Sequence, residues 1–206
     1  GALFIAVGKL VRQPLAQITT AVGELSAGRY DKAVGGADKG DEVGEIARAL
    51  EGFQGVQRRL QVKGEADGVL VIDDYGHHPT EIRATLDAVR EGWPERRVVV
   101  VFQPHRYTRT RALFTEFTTA FRRADVLVLA DIYAASEQPI EGITSESLLE
   151  AIKQHGQRQA VHIPNLVQRP EALLELLQPG DLLLTLGAGN IVQAGERLLA
   201  QLEGAQ

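Results

Sequence analysis

At 206 residues the chain has length for one or two domains, each with its own core. Hydrophobic residues make up 44% and charged residues 24%, the balance of a soluble globular protein, and a net charge of −5 argues against a nucleic-acid binder held mainly by electrostatics. Cysteine is absent, which excludes disulfides and thiolate zinc sites and fits a reducing compartment, and no apolar run approaches the roughly 20 residues of a membrane helix. The opening Ala2-Leu3-Phe4-Ile5-Ala6-Val7 is too short for a span and has no signal-peptide cleavage pattern behind it. Methionine is missing even at position 1, so the sequence reads as a fragment or a processed product.

Residues from about 9 to 53 read as two helices and a connector. Pro14 suits a first helical turn, and Leu15, Ile18, Val22 and Leu25 recur at three- and four-residue steps as an apolar stripe. Gly28 predicts the stop. The connector Arg29 to Gly40 holds Gly35-Gly36 and mixed charge. A second helix starts near Asp41-Glu42, where acids favour the amino end, and its stripe is Val43, Ile46, Leu50 and Phe53. Neither helix buries its stripe alone, so the pair needs partners. With Pro14-Leu15, Ala27-Gly28-Arg29-Tyr30-Asp31 and Asp41-Glu42-Val43-Gly44-Glu45 in order, the segment resembles a HAMP domain. That resemblance implies a parallel four-helix coiled coil as a homodimer, just inside a membrane. Ala2 to Val7 would be the inner end of a membrane segment that begins upstream of Gly1, with Lys9 and Arg12 on its cytoplasmic side. A helical hairpin packed on the second half is the alternative.

From about residue 54 the texture changes to alternating strand and helix. Leu60-Gln61-Val62 and Val69-Leu70-Val71-Ile72 flank Gly64-Glu65-Ala66-Asp67-Gly68, a hairpin signal. A helix is predicted over 79–90, a strand over 98–102, a helix over 111–122 and a strand over 126–130. A helix over 145–155, a short strand over 160–163, a helix over 170–177, a strand over 182–186 and a helix over 190–202 complete the series. The fold class is therefore α/β: a Rossmann-like, mostly parallel sheet with helices on both faces, preceded by the two-helix segment. The domains are placed at 1–53 and 54–206. The strands are short continuous apolar runs, as strands covered on both faces should be.

Open α/β sheets bind ligands just beyond the carboxyl ends of their parallel strands. Asp73-Asp74-Tyr75-Gly76-His77-His78-Pro79-Thr80-Glu81 stands at one such end. Carboxylates ending a buried strand must be solvated, paired or ligand-bound, and two histidines add groups that donate, accept or protonate near neutral pH. For either histidine alone a helix cap is the simpler reading, whereas the whole run points to a pocket. The next strand leads into Gln103-Pro104-His105-Arg106-Tyr107-Thr108-Arg109-Thr110. Arginine forks match carboxylates and phosphates, and cations are disfavoured at a helix amino end, so His105, Arg106, Arg109 and Arg111 predict an anionic ligand. A third loop, Asp131 to Glu137, carries Tyr133 and reads on its own as surface. Gly187-Ala188-Gly189-Asn190 allows a close backbone approach, but Val192 breaks the dinucleotide glycine fingerprint, so a free-standing dinucleotide-binding domain is disfavoured.

In family order, Phe53-Gln54-Gly55-Val56-Gln57-Arg58-Arg59, the two histidine loops, Tyr133-Ala134-Ala135 and Gly187-Ala188-Gly189-Asn190-Ile191 resemble the C-terminal domain of the Mur ligases of peptidoglycan synthesis, on the alanine-adding branch. The resemblance covers about residues 50 to 200. It implies ATP and Mg2+ as cofactors and a UDP-sugar, L-alanine and ATP as partners, in the cytoplasm. ATP would phosphorylate the sugar carboxylate, and the amine would attack the acyl phosphate with loss of phosphate. Asp74 would hold the ATP ribose, with Arg58 or Arg59 toward its phosphates; Tyr75, His77 and Arg106 would frame the alanine, with His78 in the same pocket. His105 and Arg109 would face the acyl end of the UDP-sugar. No Gly-x-x-x-x-Gly-Lys-Ser/Thr phosphate loop occurs, and the family's nucleotide-sugar and ATPase domains have no counterpart in the sequence. No metal ligand and no catalysis by this chain alone are therefore expected. The two resemblances meet near Ala49-Leu50-Glu51-Gly52-Phe53, which reads as a join. A dimeric signalling or interaction protein, with the α/β half as passenger or sensor, is the second reading.

Overall fold

The structure, a computed structural model, describes residues 19–20 and 58–204. The chain divides into two units, Gly1–Gln57 and Arg58–Gln206, and the second holds every strand among the described residues. The helical pair and the basic-flanked apolar start expected over 1–53 lie outside the described residues, except that Thr19 and Thr20 are helical. No helix among the described residues is long and apolar enough to cross a membrane.

The second unit opens with an antiparallel hairpin of Gln61–Ala66 (β1) and Val69–Asp74 (β2). Asp67 and Gly68 make its turn at φ 49° and 76°, the positive values that match the twist of paired strands. The turn is tighter than the 64–68 signal suggests, because Glu65 and Ala66 still pair with Leu70 and Val69. Helix α1 (Pro79–Gly92) follows, then β3 (Val98–Phe102) and the short helices α2 (Tyr107–Ala112) and α3 (Phe114–Phe117). Next come β4 (Val126–Leu129), α4 (Ser145–Gln154), β5 (Ala160–His162), a 3-10 turn at Pro170–Leu173, β6 (Leu182–Leu186) and α5 (Val192–Gly204).

The six strands form one sheet in the order β1-β2-β6-β3-β4-β5, and every pairing beyond the hairpin is parallel. Side chains alternate between two cores. Ile72, Val100, Phe102 and Leu184 pack with Ile82, Leu86 and Val89 of α1 and with Phe117, Leu148 and Ile152. Val71, Val99, Val101 and Leu183 pack with Ala194 and Leu198 of α5 and with Leu166 and Leu173. Each such side chain contributes about 1.5–3 kcal/mol on burial. The central strands β3 and β6 are wholly covered, which is why their sequences are unbroken apolar runs except at Thr185.

Two expected helices differ. The 111–122 helix instead starts at Tyr107 and breaks at Leu113 (φ −112°, ψ 18°), with only α3 beyond it. Its early start has a long-range cause: Glu137, 29 residues downstream, accepts hydrogen bonds from the Thr108 amide (2.9 Å) and hydroxyl (2.6 Å). The 170–177 helix shrinks to the 3-10 turn, because Arg97 takes the Leu176 carbonyl at 2.7 Å while Leu176 bonds back only three residues, to Leu173.

Candidate functional site

At the end of β2, Asp73 and Asp74 are buried and fully engaged. Asp73 accepts from Arg58 Nε at 2.7 Å and from Thr185 Oγ1 at 2.6 Å. Asp74 Oδ1 accepts from the Gly76 amide (2.7 Å) and Thr85 Oγ1 (3.1 Å), and Oδ2 from the Leu60 amide (2.9 Å). One lone pair of Oδ2 is the acceptor site left on Asp74. These bonds fold the loop back so that Tyr75 is exposed and His77 lies half-buried behind it. His78 is the N-cap of α1: its Nδ1 accepts from the Thr80 amide at 3.3 Å. Glu81 completes the capping box by accepting from the His77 and His78 amides, both at 3.1 Å. Burial works against the Glu81 carboxylate, but those two amides, with His77 and Arg59 nearby, hold it below the usual carboxylate range.

After β3, Arg106 adopts φ 72° and ψ 139°, a conformation an L side chain rarely takes. Its amide donates to Tyr133 O at 2.8 Å, and its carbonyl accepts from the Thr110 amide and hydroxyl. The guanidinium projects outward with no hydrogen bond or ion pair among the described residues. His105 stacks on Tyr133, ring centroids 5.5 Å apart and planes 10° from parallel. Arg109 Nη1 lies 3.0 Å from His105 Nδ1; since arginine only donates, Nδ1 accepts and the imidazole proton sits on Nε2. Burial, and after it the charges of Arg109, His77 and Arg106, outweigh the pull of Glu137 and hold His105 below the ordinary histidine value. Hydrogen bonds from Thr108 hold Glu137 below the usual carboxylate range in turn.

Four strand ends meet here. Tyr75, His77, His105 and Tyr133 form a row of rings with successive centroid distances of 5.3, 6.0 and 5.5 Å. Arg58 ties in the fourth loop: its Nη2 donates to Gly187 O at 2.6 Å and its Nη1 to Gly189 O at 3.1 Å, while its guanidinium lies 5.3 Å from the centre of the Tyr75 ring. The Gly187 amide donates to Asp74 O at 3.2 Å. The turn must be glycine twice: a Cβ at Gly187 (φ 148°) would lie 2.9 Å from Gln103 O, and one at Gly189 would overlap Gln103 Oε1.

The expected residues thus fall into two groups. Tyr75, His77 and His105 stand in one row of rings with Tyr133, Arg109 bonds to His105, and Arg106 is the exposed neighbour of His105 in sequence. Arg58 and Asp74 face inward and hold the loops together, and His78 caps α1. Arg59 is the accessible member of the arginine pair, with its side chain 49% exposed and a single long contact, 3.9 Å, to Glu81. Sequence reading gave no role to Gln103 or to the structural part of Arg58, and it left Tyr133 and Glu137 in a surface loop. The placement of Gln103 at the end of a wholly buried strand was the available signal. No group of three or more histidines and acids among the described residues is placed to hold a metal ion.

This geometry defines a class: a Rossmann-like domain whose strand-end loops bring imidazoles, phenols and arginines together. The chain belongs to the Mur ligases, since the family model described as Mur ligase, glutamate ligase domain, matches residues 58–189, more than half its length. A second model, the HAMP domain, matches residues 6–56. The α/β part is 62% identical over 155 residues to the UDP-N-acetylmuramate–L-alanine ligase of Desulfotalea psychrophila, covering 75% of this chain and 34% of that protein. For the Geobacter sulfurreducens enzyme of the same name the figures are 59% over 162 residues, 79% and 35%. The chain spans about a third of the length of the curated relatives it matches. Among solved structures it is similar to UDP-N-acetylmuramate-alanine ligase from Thermotoga maritima (TM-score 0.60, 26% identity, 81% of this chain and 35% of that one). It is also similar to a domain from a putative UDP-N-acetylmuramate:L-alanyl-gamma-D-glutamyl-medo-diaminopimelate ligase of Haemophilus ducreyi (TM-score 0.53, 26% identity), covering 70% of this chain and 99% of that one.

Proposed function

We propose that residues 58–206 are the substrate-closing end of an ATP-dependent ligase that joins L-alanine to UDP-N-acetylmuramate in the cytoplasm, and that this chain alone does not make the bond. The carrying observation is the row Tyr75–His77–His105–Tyr133 with Arg106 unpaired among the described residues, in a domain so similar to alanine-adding ligases. Arg106 binds the alanine carboxylate, with Tyr75 and His77 as walls. His105, neutral with its proton on Nε2, donates toward the acyl oxygen of the UDP-sugar, and Arg109 holds that tautomer by donating to Nδ1. Arg59 reaches for the nucleotide phosphates, and Asp74 Oδ2 offers its remaining lone pair to a ribose hydroxyl. ATP supplies the phosphoryl group that activates the carboxylate. Mg2+ finds no ligand set among the described residues, so none of these roles passes through it.

The test is calorimetry of the whole chain with ATP, with UDP-N-acetylmuramate and with L-alanine, comparing Arg106→Ala and Arg59→Ala. Weak binding that Arg59→Ala lowers for ATP and Arg106→Ala lowers for L-alanine is expected; no heat at millimolar ligand sinks the reading. Alanine-dependent phosphate release by the pure chain would overturn the claim that it is inactive alone. A second reading is favoured by the HAMP match over residues 6–56: a homodimer formed through that segment, with the α/β unit as passenger or sensor. It predicts a dimer by sedimentation that Ile46→Asp dissociates; a monomeric parent chain counts against it.

A further inference from the structure

The loop after β4 holds a strained turn. Ala135 and Ser136 follow one another at φ 48° and 73°, and the Glu137 amide closes the turn on Ala134 O at 3.0 Å. Turns with two central residues at positive φ are ordinarily built from glycine, asparagine and aspartate, so an Ala-Ser pair there is strained. Arg106, on the loop after β3, is a third such residue, at φ 72°. Strain of this kind persists only where the surroundings over-determine it.

Two attachments between these loops do so. At one end His105 and Tyr133 form a parallel bridge: the Arg106 amide donates to Tyr133 O and the Tyr133 amide to Pro104 O, both at 2.8 Å. At the other end Glu137 accepts from the Thr108 amide at 2.9 Å and the Thr108 hydroxyl at 2.6 Å, one bond to each carboxylate oxygen. The strained residues lie between the attachments, Arg106 on one loop and Ala135 and Ser136 on the other. Helix α2 has no acid in its first turn and no side-chain cap of its own, so the strained turn brings in a carboxylate that the local sequence lacks. That carboxylate also acts on the ring beside it. Burial, Arg109, His77 and Arg106 push His105 down, and the Glu137 charge pushes it up.

We propose that Glu137 is a positioning residue: by clamping Thr108 it holds Arg106 and the His105–Tyr133 stack in the arrangement that receives the substrate. The proposal rests on the reading of Arg106 and His105 as ligand groups. Without the clamp the turn relaxes, Tyr133 leaves the His105 ring, and only part of the population is competent to bind. A residue that served only to start α2 would, on removal, fray that helix and leave the bridge and the stack intact.

The test compares the whole chain with Glu137→Ala and Glu137→Gln. In Glu137→Ala the Tyr133 and His105 ring signals should lose the NMR shifts of their stack, and the Arg106 amide should exchange with solvent about tenfold faster or more. Glu137→Gln should recover part of both, since a carboxamide offers an acceptor to the Thr108 amide and a donor to its hydroxyl oxygen. It should also lower the His105 midpoint, because the charge that raises it is gone. L-alanine should bind Glu137→Ala about fivefold or more weakly than the parent, with Glu137→Gln between them. An unchanged stack and Arg106 amide in Glu137→Ala would reduce the residue to a helix cap and overturn the proposal. A Glu137→Gln protein no better than Glu137→Ala would overturn the clamp as well. If the parent binds no L-alanine, the ligand reading fails by itself, while the ring and exchange measurements still decide whether Glu137 positions Arg106 and His105.

Discussion

Arg58→Met separates the two arginines that the sequence leaves as alternatives. In the native unit Arg58 Nε lies 2.7 Å from Asp73 Oδ2, and the Asp73 side chain is wholly buried. Removing the guanidinium leaves that carboxylate with Thr185 Oγ1, at 2.6 Å, as its remaining donor. A buried charge stripped of its partner costs about 3–5 kcal/mol. The carbonyls of buried Gly187 and half-buried Gly189 lose donors too, while methionine keeps much of the packing against Tyr75. About 3 kcal/mol is therefore the expected loss, or roughly 6–12 °C in Tm for a unit of about 150 residues. Asp73→Asn in the Arg58→Met background should recover part of it, since an amide needs no countercharge. Arg59→Ala should cost under about 0.5 kcal/mol, because its side chain is 49% exposed and its ion pair is 3.9 Å long. Urea unfolding followed by the single tryptophan, Trp93, which packs partly buried against the core, reads all four proteins. A loss below about 1 kcal/mol for Arg58→Met, or equal losses for both arginines, would refute the assignment of Arg58 as a clamp.

Three more outcomes are expected. His105 should titrate below the ordinary 6.5 in an NMR pH series, and Arg109→Gln should move it up; because its folded value is depressed, its contribution to stability is full above 6.5 and lost as pH falls through the folded value. An unchanged midpoint in Arg109→Gln would show that the arginine does not face the ring. Gly189→Ala brings a Cβ to 2.8 Å from Tyr133 Cγ and into Gln103, so the Tyr133 and His105 ring signals should both shift, and intact signals would contradict the close approach. Arg106→Gly relieves a backbone at φ 72°, ψ 139° and should raise stability by about 1 kcal/mol while abolishing anion binding; a loss of stability would mean the conformation carries no strain.

How much of the fold is legible in the sequence depends on the range of the cause. Strands β3, β4 and β6 announce themselves, since a strand covered on both faces must be apolar throughout. The hairpin, α1 and α4 carry local signals: turn residues, a proline in the first turn, capping side chains. The helix at Tyr107 starts earlier than its own letters indicate because its cap, Glu137, arrives from a loop beyond the next strand. The histidine and arginine runs are visible as one chemistry, and the sheet brings them together as parallel strands must. What the letters hide is direction. Nothing local says that Arg58 turns inward to Asp73 and two carbonyls while its neighbour Arg59 stays in solvent.

That division of direction explains how a chain of net charge −5 leaves exposed arginines at its strand ends. The acids near them are all hydrogen-bonded within the fold. Asp73 pairs with Arg58, Asp74 with two backbone amides and Thr85, Glu81 with the amides that start α1, and Glu137 with those that start α2. Each carboxylate thereby gains hydrogen bonds that fix its loop, and for Glu81 and Glu137 they favour the ionised form. Among the described residues Arg106 keeps no such partner, and Arg59 only a distant one. An anion bound at Arg106, as proposed above, would supply a counterion at a backbone position held in strain. The same carboxylates that fix the loops therefore set the sign of the site, and neutralising one of them should loosen its loop before it changes the attraction for anions.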